Sequence, residues 1–158
     1  HPQGEEIVVL DGEFADEYGV YPAGTYIKNP PGSRHAPRSA AGCTLFVKLR
    51  HLDDRDSEQV VVRPPDRRWR PGLVSGLEVL ALSQFGTTHT ALVRWAPGTF
   101  FNKHQHFGGE EILVLQGTFQ DEYGDYPSGT WIRSPHMSSH QPYSEPGCLI
   151  FVKVGHLP

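Results

Sequence analysis

Residues 1–52 align with residues 106–157 at a constant offset of 105, without a gap, and about 30 of the 52 positions are identical. Gly4-Glu5-Glu6-Ile7 returns as Gly109-Glu110-Glu111-Ile112, and Asp16-Glu17-Tyr18-Gly19 returns as Asp121-Glu122-Tyr123-Gly124. Phe46-Val47-Lys48 returns as Phe151-Val152-Lys153. Identity at this level means two copies of one folding unit. The copies are unequal. Copy two is preceded by the stretch from Gln59 to Gln105, whereas copy one starts at His1. A unit without its first strands cannot close its core, so the natural chain is expected to begin earlier. The alternative is a degenerate half-unit packed on copy two. The expected division is 1–52, the C-terminal part of a first copy; 53–72, a charged, Pro-rich connecting segment; and 73–158, a complete second copy. Val60-Val61-Val62 is the one stretch near the connection with strand character, and could open copy two.

The repeated elements read as strands. Ile7-Val8-Val9-Leu10 and Ile112-Leu113-Val114-Leu115 are short apolar runs, each followed by a Gly two residues on. Residues 77–82, 90–95 and 149–153 read the same way, with turn chemistry at Pro97-Gly98, Tyr123-Gly124 and Ser128-Gly129 between them. No stretch carries a 3.6-residue period. Many short strands at regular spacing predict an all-β sandwich or barrel.

Bulk properties exclude several classes. A net charge of −4 gives no electrostatic reason to bind nucleic acid or an anionic membrane. No apolar run approaches the roughly 20 residues of a membrane helix, and no signal peptide is visible. Two cysteines, Cys43 and Cys148, do not make a disulfide framework, and a cytoplasmic location is expected. They occupy matching points of different copies, read as small core residues; redox sensing is the rival role.

Nine histidines are the unusual feature of the composition. In copy two, His104-Gln105-His106 is followed by Glu110, with His140 thirty residues further on. Alternate residues of a strand share a face, so His104 and His106 project together. Glu110 has the same parity across the Gly108-Gly109 kink, and His140 must arrive from another strand or turn. Three imidazoles and one carboxylate suit a divalent transition ion: Zn, Fe(II), Mn, Ni or Co. Copy one keeps the separations as His1, Glu5 and His35, an incomplete second metal site. Glu111 and Glu6 have the opposite parity and suit supporting hydrogen bonds. His51 and His156 read as structural, and His89 as exposed or hydrogen-bonded. Phe100, Trp131, His136 and Met137 are candidates for a pocket near the site. Nothing supplies an obvious catalytic group beyond the metal ligands.

The string Gly98, five residues, His104-x-His106, three residues, Glu110, six residues, Gly117 resembles the first motif of the cupin superfamily. Pro30-Pro31-Gly32-Ser33-Arg34-His35 resembles its second motif. In copy two that motif reads Pro135-His136-Met137-Ser138-Ser139-His140, with Met137 in the Gly position. Residues 108–117, 121–127 and 147–153 narrow the likeness to the cupin domain of ChrR-type anti-sigma factors. The resemblance implies a double-stranded β-helix, or jelly-roll barrel, in a bicupin arrangement with the first copy partial. It also implies zinc as the metal, a role in stress or ligand sensing, and a homodimer. In that family the anti-sigma activity lies in a separate helical zinc domain with a His-x-x-x-Cys-x-x-Cys motif. A sigma-factor partner is therefore implied only if such a domain lies upstream. Whether the chain is an enzyme stays open. The rival reading is an Fe(II)-dependent cupin dioxygenase acting on a small diketone-like or aromatic ketone molecule.

Overall fold

The computed structural model describes residues 1–158. The chain is all-β apart from one 3₁₀ turn at Pro64–Asp66. No helix is long and apolar enough to cross a membrane. Two compact units divide it, His1–Arg67 and Arg68–Pro158.

The first unit holds β1 (Glu5–Asp16), β2 (Gly19–Pro22), β3 (Tyr26–Asn29), β4 (Cys43–Leu49) and β5 (Val60–Val62). The second holds β6 (Arg70–Pro71), β7 (Leu77–Phe85), β8 (Thr88–Trp95), β9 (Thr99–Phe100), β10 (His104–His106) and β11 (Glu110–Asp121). It continues with β12 (Gly124–Pro127), β13 (Trp131–Ser134), β14 (Ser138–His140), β15 (Tyr143–Ser144) and β16 (Cys148–Val154). Strands β1 to β4 match β11, β12, β13 and β16 at the offset of 105, residue for residue. All pairings are antiparallel. In the second unit a curled sheet runs β6-β7-β8-β16-β11-β15-β9, and β12 and β13 also pair with β11. β10 and β14 form a separate two-stranded ribbon.

The twelve-residue β11 serves two halves of this curl because it bends. Its pairing with β16 shifts register between Val114 and Gln116. Gly117 follows with φ +70°, and a Cβ there would lie 2.1 Å from the Gly147 carbonyl oxygen. Only glycine fits such a left-handed, closely packed position. β1 repeats the device, with its shift between Val9 and Asp11.

Strand alternation then sets the core. Ile112 and Val114 point inward with Leu77, Trp95, Phe119, Cys148 and Ile150 to form the core of the second unit. Ile7, Val9, Phe14, Tyr21 and Ile27 do the same in the first.

Within the connecting segment, Val60–Val62 pairs with Tyr26–Lys28 as the edge of the first unit's sheet, so of the two neighbours left open it joins the first. An all-valine triplet carries no alternation to say which neighbour it joins; only its register partner decides.

Candidate metal centre

Three strands deliver the second-copy cluster. β10 presents His104 and His106 on one face, and its antiparallel pairing with β14 sets His140 directly opposite His104. Glu110 begins β11 on the same inward parity as Ile112. The donor atoms of His104, His106, Glu110 and His140 all lie within 4.8 Å of one another. The Nε2 atoms of His106 and His140 are 3.0 Å apart, and Glu110 Oε1 is 3.5 Å from each. Donors about 2.1 Å from one ion sit about 3.0 Å apart in an octahedron and about 3.4 Å apart in a tetrahedron. The spacing of the His106, His140 and Glu110 donors therefore matches that of a coordination shell.

Hydrogen bonds on the far side of two rings aim their Nε2 lone pairs inward. His104 Nδ1–H donates to the Asn102 carbonyl at 2.9 Å, and His140 Nδ1–H donates to Asp121 Oδ2 at 3.2 Å. Asp121 is itself held by the Tyr126 hydroxyl at 3.0 Å and the Tyr123 N–H at 2.9 Å. Burial and this hydrogen bond push the Tyr126 hydroxyl up to about 12. Asp121 was not singled out from the sequence, although its identity with Asp16 across the repeat was a signal. In the first unit Asp16 accepts from Tyr21 at 3.1 Å and from His35 Nδ1 at 3.1 Å. Burial opposes ionisation of Asp16, but hydrogen bonds from Tyr18 N–H, His35 and Tyr21 outweigh it and hold its pKa below the usual range.

The electrostatics call for a cation. Glu110 Oε1 is buried and makes no hydrogen bond. Desolvation, with Asp121 nearby, pushes Glu110 up to about 8. Desolvation and the neighbouring rings His104 and His140 push His106 down to about 4. A carboxyl oxygen buried among imidazoles without a hydrogen-bond donor is costly as it stands and becomes favourable around a divalent ion. The residues present fit such a metal.

The first-unit cluster has three members. His35 Nε2 and His1 Nε2 lie 3.1 Å and 3.4 Å from Glu5 Oε2. Asn29 also donates to that oxygen at 3.0 Å, where the second copy has Ser134 and no such donor.

The supporting carboxylates fall outside both clusters. Glu6 pairs with His51 and Glu111 with His156 at 2.5 and 2.8 Å, so both of these histidines have structural partners. His89 is exposed. Cys43 and Cys148 are free thiols. Burial pushes Cys148 up to about 11, which suppresses the thiolate a redox sensor needs.

A cavity of about 190 Å³ adjoins the cluster and reaches His104, Glu110 and His140. Its wall is Leu77, Trp95, Phe101, Phe119 and neighbouring aliphatic residues. Phe100, Trp131, His136 and Met137 line none of it; all four are exposed. Trp131 points outward because its strand neighbour Ile132 pairs with the inward Ile112. Phe100 stacks on Tyr143 at 5.2 Å, and His136 Nδ1 accepts from Gly108 N–H at 2.9 Å.

A family model described as the ChrR cupin-like domain matches residues 1–53 and 57–158. No curated protein matches the sequence. Among solved structures, the complex of Rhodobacter sphaeroides SigE with the anti-sigma ChrR matches at 30% identity and TM-score 0.52. That match covers 58% of this chain and 51% of the other, so the chain spans about half the length of its solved relative. A candidate dioxygenase from Nostoc punctiforme matches at 16% identity and TM-score 0.77, over 96% of this chain and 61% of that one. A candidate acetylacetone dioxygenase from Methylibium petroleiphilum matches at 16% identity and TM-score 0.58, over 65% and 80%. At such identities the last two speak to the fold alone, which is the expected cupin barrel.

Proposed function

The chain belongs to the ChrR cupin-like family, and from that premise we propose that it is a metal-binding regulatory cupin. His104, His106, Glu110 and His140 hold one divalent transition ion, and His1, Glu5 and His35 contribute to a second. The observation that supports this best is the convergence of two imidazole nitrogens on a buried, unpartnered Glu110 oxygen at coordination-shell spacing. Zinc is the first choice, because four protein donors close a tetrahedral zinc site and closed sites are structural. In this reading the loaded barrel senses a small ligand or an oxidising stress. The solved ChrR is an anti-sigma bound to SigE. A sigma-factor partner for this chain is proposed only together with an upstream helical domain.

One observation favours a second reading, an Fe(II)-dependent dioxygenase for a small diketone-like or aromatic ketone molecule. The apolar cavity reaches three of the four cluster residues, which a purely structural ion does not require. Bound Fe(II) would supply the O₂ chemistry; the chain's part is to hold it and to shape a dry wall beside it.

Metal analysis of protein purified without added metal, followed by O₂ uptake with a diketone panel, decides between them. Stoichiometric zinc without uptake supports the regulatory cupin. Iron with turnover overturns it. His140→Ala should remove most of one metal equivalent, while His156→Ala, which touches Glu111 outside the cluster, should not. Equal losses from both would refute the ligand assignment.

A further inference from the structure

Two buried hydroxyls recur at the offset of 105 with nothing to bond. Ser33 and Ser138 stand two residues before His35 and His140, and the Oγ of each is buried and makes no hydrogen bond. Neither belongs to the donor clusters. A buried hydroxyl without a partner is costly, and serine needs only to rotate about one bond to find one, so an unmet hydroxyl kept in both copies calls for a reason.

The register of β10 and β14 supplies it. Ser138 lies directly opposite His106, just as His140 lies opposite His104. Directly opposed residues of an antiparallel pair project from the same face, with Cβ atoms about 4.5–5.5 Å apart. The donors of His104, His106 and His140 converge, so Ser138 shares their face.

His106 is also the ring that lacks support. His104 Nδ1 is held by the Asn102 carbonyl and His140 Nδ1 by Asp121. The contact of His106 is made through Nε2, with His140. An imidazole whose Nε2 faces a cation carries its proton on Nδ1, and that N–H needs an acceptor to fix the tautomer and the ring plane. On two facing side chains, one acceptor lacks a donor and one donor lacks an acceptor.

Resting on the metal reading above, we infer that Ser138 is a positioning residue for His106. When the cluster holds its ion, His106 Nδ1–H donates to Ser138 Oγ and the hydroxyl keeps its own proton. The serine touches no ion and acts through the ring. Ser33 stands in the same relation to His1, whose carbonyl accepts from Gly32 N–H as that of His106 accepts from Met137 N–H.

The test uses the full chain carrying His35→Ala, which takes a donor from the first cluster, titrated with zinc against a chromophoric chelator. Ser138→Ala should weaken zinc binding about tenfold or more. The metal-free Ser138→Ala chain should melt no lower than its parent, because the change removes an unmet hydroxyl and no contact. Ser138→Thr keeps the hydroxyl and should bind zinc about as tightly as the parent. Ser139→Ala, one residue on and facing the other way, should leave zinc affinity unchanged. In NMR spectra of the zinc-loaded chain, the His106 Nδ1–H should be protected from solvent exchange, and Ser138→Ala should abolish that protection. Unchanged zinc affinity in Ser138→Ala, an equal loss in Ser138→Thr or Ser139→Ala, a lower metal-free Tm, or an unprotected Nδ1–H in the parent overturns the positioning role and leaves the metal reading intact. A parent chain that binds neither zinc nor Co(II) overturns the metal reading, and this role with it.

Discussion

Met137 and Gly32 occupy the same turn of the two copies, and both are left-handed, with φ of 64° and 81°. Each donates its N–H to the carbonyl of the histidine it supports, His106 or His1, at 2.9 Å. The departure of Met137 from the glycine pattern therefore leaves the turn unchanged and adds backbone strain. Met137 is exposed, so its side chain contributes little to packing. Met137→Gly should stabilise the chain by about 1 kcal/mol and raise Tm by roughly 2–4 °C, with metal content unchanged. A fall in Tm would mean the strain is not there. Glu110 gives a pH signature. It ionises ordinarily near 4.5 and in the folded barrel near 8, so without metal the folded chain holds a proton that the unfolded chain has lost. Stability from this group is full below 4.5 and drains away as pH rises through 8. His106, pushed down from 6.5 to about 4, acts in the opposite sense, but only below 6.5. Between pH 6.5 and 8 the metal-free chain should lose on the order of 2 kcal/mol in urea melts. Glu110→Gln should flatten that slope. The four residues that converge in the second cluster were legible in the sequence because spacing and strand parity are local. Asp121 was not, because nothing in a single copy ties it to His140; only the fold does.

Elements show the same division. β1, β7, β8, β11 and β16 were readable as apolar, β-branched runs with glycines or turns at their ends. β10 and β14 are three residues each, too short to carry a period, and their pairing is a product of the barrel. β5 is equally short, and its three valines carry no alternation that says which unit it joins. What the pattern could not show is that β11 is one strand with a bend rather than two strands. Gly117 makes that bend, so the six-residue interval measures the run from Glu110 to the corner. Gly117→Ala would drive a Cβ into the Gly147 carbonyl at 2.1 Å in a backbone region that alanine resists. It should cost about 3 kcal/mol or more in denaturant melts. Gly129→Ala, where a Cβ meets nothing within 4 Å, carries only the φ penalty and should cost about 1–2 kcal/mol. If the two cost the same, the bend is not held by close packing.

Across the whole molecule, duplication fixed more than the fold class. Strand ends, register shifts and even the carboxylate–histidine support recur at the offset of 105, so each cluster inherits the same scaffold. The copies diverge where the carboxylate is concerned. Glu5 already accepts an amide hydrogen from Asn29, whereas Glu110 Oε1 accepts none. An ion at the second cluster therefore relieves a larger unmet demand, and that cluster should bind zinc more tightly than the first. Binding to the folded chain alone adds stability by mass action, about 2.7 kcal/mol for each site when free zinc is 100-fold above its Kd. Titrating zinc into the metal-free chain should raise Tm in two steps. His140→Ala should remove the step at lower zinc, and His35→Ala the step at higher zinc. The double variant should melt at the same temperature with zinc or with chelator. A chain whose Tm ignores both zinc and chelation would hold no ion at either cluster, whatever the convergence of its imidazoles.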